Sequence, residues 1–182
     1  MENELEYEQD YGLAVKNGLI VGAIFGVFAI LLYVIQESLL ANGMLGIVLI
    51  LVNLIVLGIL GVRYRKAVGG YLSFGDAYKA IFVMVLVCIL VSTVFQILLH
   101  QVIDPSLGER LTQIAVENAE AMMRRFGAPE DQIQEGLQAA REQDNYSISA
   151  QLMGVLYVGV IGNAVITLIL AAIAKKKPEE EY

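Results

Sequence analysis

Four long stretches of this chain carry no charged side chain, and that pattern restricts the fold more than any motif does: residues 17–36, 38–62, 80–103 and 145–174. A helix rises about 1.5 Å per residue and the hydrocarbon core of a bilayer is about 30 Å thick, so about 20 residues suffice to cross it. Each stretch reaches that length, is dominated by Leu, Ile and Val, and contains no proline. Every backbone hydrogen bond can therefore close within its own helix, as lipid requires. The charges gather in short blocks between the stretches instead of spreading as they do on a water-soluble surface. Hydrophobic residues make up 57% of the 182, with a mean hydropathy of +0.65, more apolar surface than a soluble domain of this length can hide.

The expected fold is therefore all-α: one polytopic membrane domain over residues 1–182 with transmembrane helices at 17–36, 41–62, 80–103 and 151–174, and a helical insert at 104–146. The first helix is expected to be retained and not cleaved as a signal peptide. The segment before it is acidic (Glu2, Glu4, Glu6, Glu8, Asp10) with Lys16 as its only cation, whereas a signal peptide opens on a basic region. The single cysteine, Cys88, lies in the third stretch without a disulfide partner and reads as a small buried apolar residue.

Lysine and arginine near the helix ends set orientation. Lys16, Arg63, Arg65, Lys66, Lys79, Lys175, Lys176 and Lys177 fall on one side. Arg110, Arg124, Arg125 and Arg141 fall on the other, completing the total of 12. This excess places both termini in the cytoplasm. Arg63, Arg65, Lys66, Lys175, Lys176 and Lys177 are expected to meet anionic headgroups, at about 1 kcal/mol each. Tyr64 and Tyr71 on that side, and Tyr33 and Tyr146 on the other, suit interfacial anchoring.

In the connection between the second and third helices, Gly69-Gly70 ends one helix and Ser73 with Asp76 forms a capping arrangement for the next. The outer connection holds Asp104-Pro105, a second S-x-x-E box at Ser106 and Glu109, and an apolar face at Leu107, Leu111, Ile114, Ala115, Met122 and Phe126. Gly127 stops that helix, and Pro129 opens another with Ile133, Leu137 and Ala140 on one face. The product is an extracytoplasmic amphipathic hairpin of net charge -5, four Arg against nine Asp and Glu. It either packs on the bundle or docks a partner, since its apolar stripe needs cover in both cases.

The acidic N-terminus, the run Gly69-Gly70-Tyr71-Leu72-Ser73-Phe74-Gly75-Asp76-Ala77, the Ile103-Asp104-Pro105 end of the third helix, the charged Met-containing insert and the lysine tail together resemble a bacterial membrane family known only as domain of unknown function 4199. The resemblance covers nearly the whole chain. It implies a Gram-negative inner membrane and brings no known reaction, cofactor or catalytic residue.

Polar side chains inside the bilayer are the default candidates for function. No Asp, Glu, Lys or Arg lies within the four stretches, which argues against a proton-driven transporter. Asn53, Ser92, Thr93, Gln96, His100, Asn163 and Thr167 remain. Gln96 and His100 are four apart on one helical face and form either part of a polar path or a structural pair near the membrane surface. Asn53 and Asn163 sit near mid-bilayer, where each can satisfy the other as packing glue. Ala14, Gly18, Gly22 and Gly26 recur every four residues, a small-residue ridge that admits another backbone closely, either within the bundle or in a dimer.

No H-E-x-x-H, G-x-S-x-G, P-loop or Cys/His cluster is present, and Asp76 and Asp104 bracket the third helix about 40 Å apart, too far for a dyad. No catalytic residue, metal site or cofactor is expected. The leading expectation is a non-enzymatic scaffold, anchor or accessory subunit. It would contact lipid and recruit a protein through the acidic hairpin, such as an enzyme of lipid-linked sugar or envelope metabolism; no nucleic-acid partner is expected. The alternative is a small homo-oligomeric transporter or channel with its path around Gln96, His100, Asn53 and Asn163.

Overall fold

A computed structural model describes residues 10–176 of the chain; the acids Glu2 to Glu8 and Lys177 lie outside the described residues. It contains six helices: α1 (Tyr11–Ile35), α2 (Gly43–Ala67), α3 (Phe74–Ile103), α4 (Leu107–Arg125), α5 (Glu130–Glu142) and α6 (Ile148–Ala174). Among the described residues the only extended pairing is a single bridge between Leu72 and Lys176.

The four long helices each begin on a side chain that accepts a first-turn amide. Asp10 takes the Leu13 N–H at 3.0 Å, Asn42 that of Leu45 at 3.0 Å, Ser73 that of Asp76 at 3.1 Å and Ser147 that of Ala150 at 3.1 Å. Orphan amides at the edge of lipid are costly, so a polar cap just outside each apolar stretch is what starts the helix there. Three of these helices run beyond the uncharged stretches into charged flanks, α1 before residue 17, α2 past residue 62 and α3 before residue 80, with Lys16, Arg63, Lys66 and Lys79 exposed there.

Mean hydropathy in the four spans runs from 2.3 to 2.9, yet no more than 28% of the residues in any span window are buried within the protein. Val34, Met44 and Val158 are over 70% exposed. Water would not tolerate so much outward-facing apolar surface, and lipid does. The chain is a multi-pass membrane protein.

Helix α3 is the hub. Helix α1 lies along its length, α6 packs on another side, and α2 joins mainly through its second half, where Leu57, Gly61 and Tyr64 are buried. Small residues hold this half tightly: Ala77 and Ala80 of α3 and Ala171 and Ala174 of α6 are fully buried. The first half of α2 diverges from the bundle, leaving Met44, Ile47, Ile50 and Leu51 between 54% and 74% exposed. Tyr64 corrects the anchoring expectation: at 1% exposed it is a core residue, because the tight packing of this half closes over its ring.

The two ends of the bundle are built differently. At the end bearing the termini, Gly69 and Gly70 turn with φ of 109° and 87°, a region that only glycine enters freely. Leu72 and Lys176 then exchange backbone hydrogen bonds of 2.9 and 3.0 Å, tying the α2–α3 turn to the chain after α6. At the other end α4 and α5 form the expected helical hairpin, turning at Gly127 with φ 73°.

Candidate functional site

The hairpin is fastened by one arginine. Arg110 on α4 meets both carboxylate oxygens of Glu37, donating from Nε at 3.0 Å and from Nη2 at 2.6 Å. It also donates to Asp104 at 2.6 Å and to the Ser106 hydroxyl at 2.6 Å. The Tyr33 hydroxyl donates to the other side of the cluster, reaching Asp104 at 3.0 Å. One guanidinium thus joins the end of α1, the α1–α2 connection, the end of α3 and the start of α4. Hydrogen bonding from Arg110 holds the Asp104 carboxyl far below the ordinary carboxylate range and lowers that of Glu37 as well. Leu99, Leu107 and Leu111 pack beneath this clamp with Tyr33, Leu40, Ala41 and Tyr146 around them.

That arrangement overturns the second capping box. Ser106 makes no cap bond, because its hydroxyl donates to Asp104 at 2.8 Å and accepts from Arg110. The apolar face of α4 is corrected too. Val116, Ala119 and Met123 pack with Ile133, Leu137, Ala128 and Ala140 of the α5 arm, whereas Met122 is 59% and Phe126 80% exposed. Two stripes one residue apart compete on this helix, and the approach of α5 selects the one through Val116.

Inside the membrane the candidate polar residues divide into two places. His100 lies at the hairpin end, where α3 finishes in a wider π-helical turn over Leu98–Ile103. Its Nδ1–H donates to the Gln96 carbonyl at 2.8 Å, and its ring stacks on Tyr146 at 4.9 Å. Tyr146, whose carbonyl accepts from both Gln101 and Gln151, is therefore a joint between α3 and α6 and not a lone anchor.

Asn53, Ser92, Thr93, Gln96 and Asn163 converge elsewhere, on a cavity of about 470 Å³ bounded by α1, α2, α3 and α6. His100 is not among its walls. Nor do Asn53 and Asn163 bond to each other. The Asn163 carbonyl oxygen accepts from the Thr167 hydroxyl at 2.8 Å, and the Asn53 amide points at the Cys88 sulfur at 3.9 Å. The i, i+4 pair on α6 satisfies the Asn163 oxygen alone, and shared placement on one cavity does not amount to contact.

The small-residue ridge lies against α3. A Cβ on Gly22 would stand 2.6 Å from the Cys88 carbonyl oxygen, one on Gly18 would strike the Met84 carbonyl, and one on Gly26 would enter the Phe95 ring. Ala14 is fully buried in the main core. The basic residues take separate roles. Arg65 donates to the terminal carbonyl of Ala174 at 3.0 Å, and Lys175 and Lys176 sit over the Phe74 and Tyr71 rings at 5.9 and 5.8 Å. Arg63 and Lys66 border an apolar groove between α2 and α6.

Arg110 is the functional residue that sequence reasoning passed over. Its spacing from Asp104 and Ser106 was visible, but Glu37 is 73 residues away and no local pattern announces it. No group of three or more metal-binding side chains gathers among the described residues.

A bundle of four lipid-crossing helices with a clamped amphipathic hairpin between the third and fourth defines a small polytopic membrane protein. Residues 16–176 match a family model described as protein of unknown function (DUF4199), and the chain belongs to that family. Comparison with curated proteins and with solved structures returns no match.

Proposed function

We propose that the protein is a non-enzymatic accessory or anchor subunit of the bacterial inner membrane, with both termini cytoplasmic and the α4–α5 hairpin recruiting a protein partner on the extracytoplasmic side. One observation carries this reading. The hairpin is fixed at its base by Arg110, while its outer half packs only on itself and leaves Phe126 80% and Met122 59% exposed at the tip. An arm held at its base that presents a bare aromatic among charged side chains of both signs, Arg124, Arg125, Glu130 and Asp131, has the anatomy of a docking element with a hydrophobic anchor and a charged rim. The partner it suits offers an apolar pocket for that anchor. Orientation rests on the excess of Lys and Arg at the end bearing the termini. The carboxylates that gather most closely, Glu37 and Asp104, are occupied by Arg110 in a fastening role, which supports a structural reading over a catalytic one.

Purification in mild detergent after brief cross-linking tests the proposal. Wild-type protein is expected to retain a stoichiometric partner that the Met122→Ser/Phe126→Ser variant loses while its spans unfold at the same temperature. A clean monomer from several detergents, or a partner indifferent to those substitutions, removes the docking role. Gln138→Cys is expected to react with a membrane-impermeant maleimide from outside spheroplasts; labelling only after lysis reverses the orientation.

A further inference from the structure

The intramembrane cavity has unmet chemistry of a definite kind. Asn163 is 3% exposed, and its amide nitrogen has no hydrogen-bond partner although its oxygen is satisfied by Thr167. Asn53 directs its amide only at a thiol sulfur 3.9 Å away, a weak acceptor, while the Ser92 hydroxyl is already committed to the Gly22 carbonyl at 3.3 Å. Among the lining residues the buried group left without a partner is the Asn163 amide, a donor, so the fitting ligand brings an acceptor oxygen to it. It also brings no charge, because no Lys, Arg, Asp or Glu lines the cavity and an unpaired ion buried there would be prohibitively costly.

The remaining walls are apolar, among them Phe25, Leu49, Leu57 and Ile89, and the volume of about 470 Å³ falls within the roughly 300–1,000 Å³ usual for ligand pockets. Ile50 and Val158 on its lining are 60% and 71% exposed, so the cavity opens sideways into lipid where α2 leaves the bundle. Immediately before Asn163, helix α6 widens into a π-helical segment over Val155–Gly162. Such segments recur at functional sites because they shift the register of the side chains that follow.

We propose that this cavity binds an uncharged membrane lipid through carbonyl oxygens, with the Asn163 amide as the principal donor, the Asn53 amide as a second, and the tail running out past Ile50. Two lipid types carry that chemistry, the ring of an isoprenoid quinone and the ester of a neutral acylglycerol. The site is independent of the hairpin, so docking and lipid binding stand or fall separately.

The test is thermal unfolding of the full chain in maltoside micelles during titration with decylubiquinone, with dioctanoylglycerol, and with dihexanoylphosphatidylcholine as a zwitterionic control. At least one of the two neutral lipids is expected to raise the midpoint, by about 5 °C at a concentration a hundredfold over its Kd and further with the logarithm of concentration beyond that. Asn163→Leu should raise the Kd read from that concentration dependence at least tenfold, which about halves the shift at the same lipid concentration. Asn53→Leu should raise that Kd less and serves as the second variant if Asn163→Leu does not fold. A response to one neutral lipid alone identifies the source. No response to either, or an equal response in the variants or to the zwitterionic control, overturns the proposal.

Discussion

Replacing Gly22 with alanine adds one methyl group where α1 and α3 approach closely. The new Cβ would stand 2.6 Å from the Cys88 carbonyl oxygen and 2.8 Å from the Val91 Cβ. Ordinary contact lies near 3.4 Å or beyond, so the helices must separate by roughly 0.5–1 Å, and the blocking atoms are backbone and a β-branched stem that cannot rotate away. Overpacking of this kind costs about 1–3 kcal/mol. Alanine recovers up to about 1 kcal/mol through its higher helix propensity, leaving a net loss of up to about 2 kcal/mol. Gly58→Ala supplies the internal comparison, since its Cβ would meet Leu170 at an ordinary 3.6 Å and the propensity gain stands nearly unopposed. Because the propensity gain is common to both, the two variants should differ by the overpacking cost, about 1–3 kcal/mol, roughly fivefold to over a hundredfold in the folded-to-unfolded ratio. Reversible unfolding with sodium dodecyl sulfate in mixed micelles, followed by helical circular dichroism, reads that difference directly. The mass in detergent should not change, because the ridge faces the protein's own α3. Equal stability of the two variants, or a Gly22→Ala protein that unfolds as the wild type does while losing an oligomer, would refute the reasoning.

Arg110→Gln removes both carboxylate contacts and should raise amide exchange at Leu107 and Leu111 while leaving exchange in α1 and α3 below Leu99 unaltered; uniform protection across α4 would show that the leucine cluster alone seats the hairpin. Leu137→Ala empties a side chain that is 3% exposed and should cost about 2–4 kcal/mol within the hairpin, seen as early proteolysis between α4 and α5 with intact spans. Acid should loosen the same hairpin. The carboxyls of Glu37 and Asp104 titrate below their ordinary values of 4.5 and 3.8 in the folded protein, so their contribution is complete at neutral pH and fades as pH falls from about 4.5 downward. Hairpin exchange should rise through that window in the wild type and change much less in Arg110→Gln. Equal acid responses in the two proteins would place the sensitive carboxylates elsewhere.

How much of this was legible depended on the range of the interaction involved. Lipid acts on each segment separately, so uncharged length alone pointed to four helices long and apolar enough to cross a membrane. Caps and turns are equally local: Ser73, Gly69-Gly70 and Gly127 declared their roles through backbone geometry that neighbouring residues set. The four-residue period of Gly18, Gly22 and Gly26 likewise announced a close approach, because a missing Cβ has the same meaning whichever helix arrives.

Tertiary structure decided which helix did arrive. Sequence periodicity marks a face without naming its partner, and only the folded bundle put that ridge on α3 instead of on a second copy. It also buried Tyr64, rolled the hairpin onto Val116 instead of Phe126, and drew Arg110 to a glutamate 73 residues distant. Most of all it kept the His100 ring out of the cavity that Gln96 lines, although the two share a helical face and the ring bonds to the Gln96 carbonyl, and it gathered Asn53 and Asn163 around that cavity without pairing them. Helices in lipid gain little from hydrophobic association with one another, so their mutual placement follows from shape and a few polar contacts, and those exist only once the chain has been assembled in three dimensions.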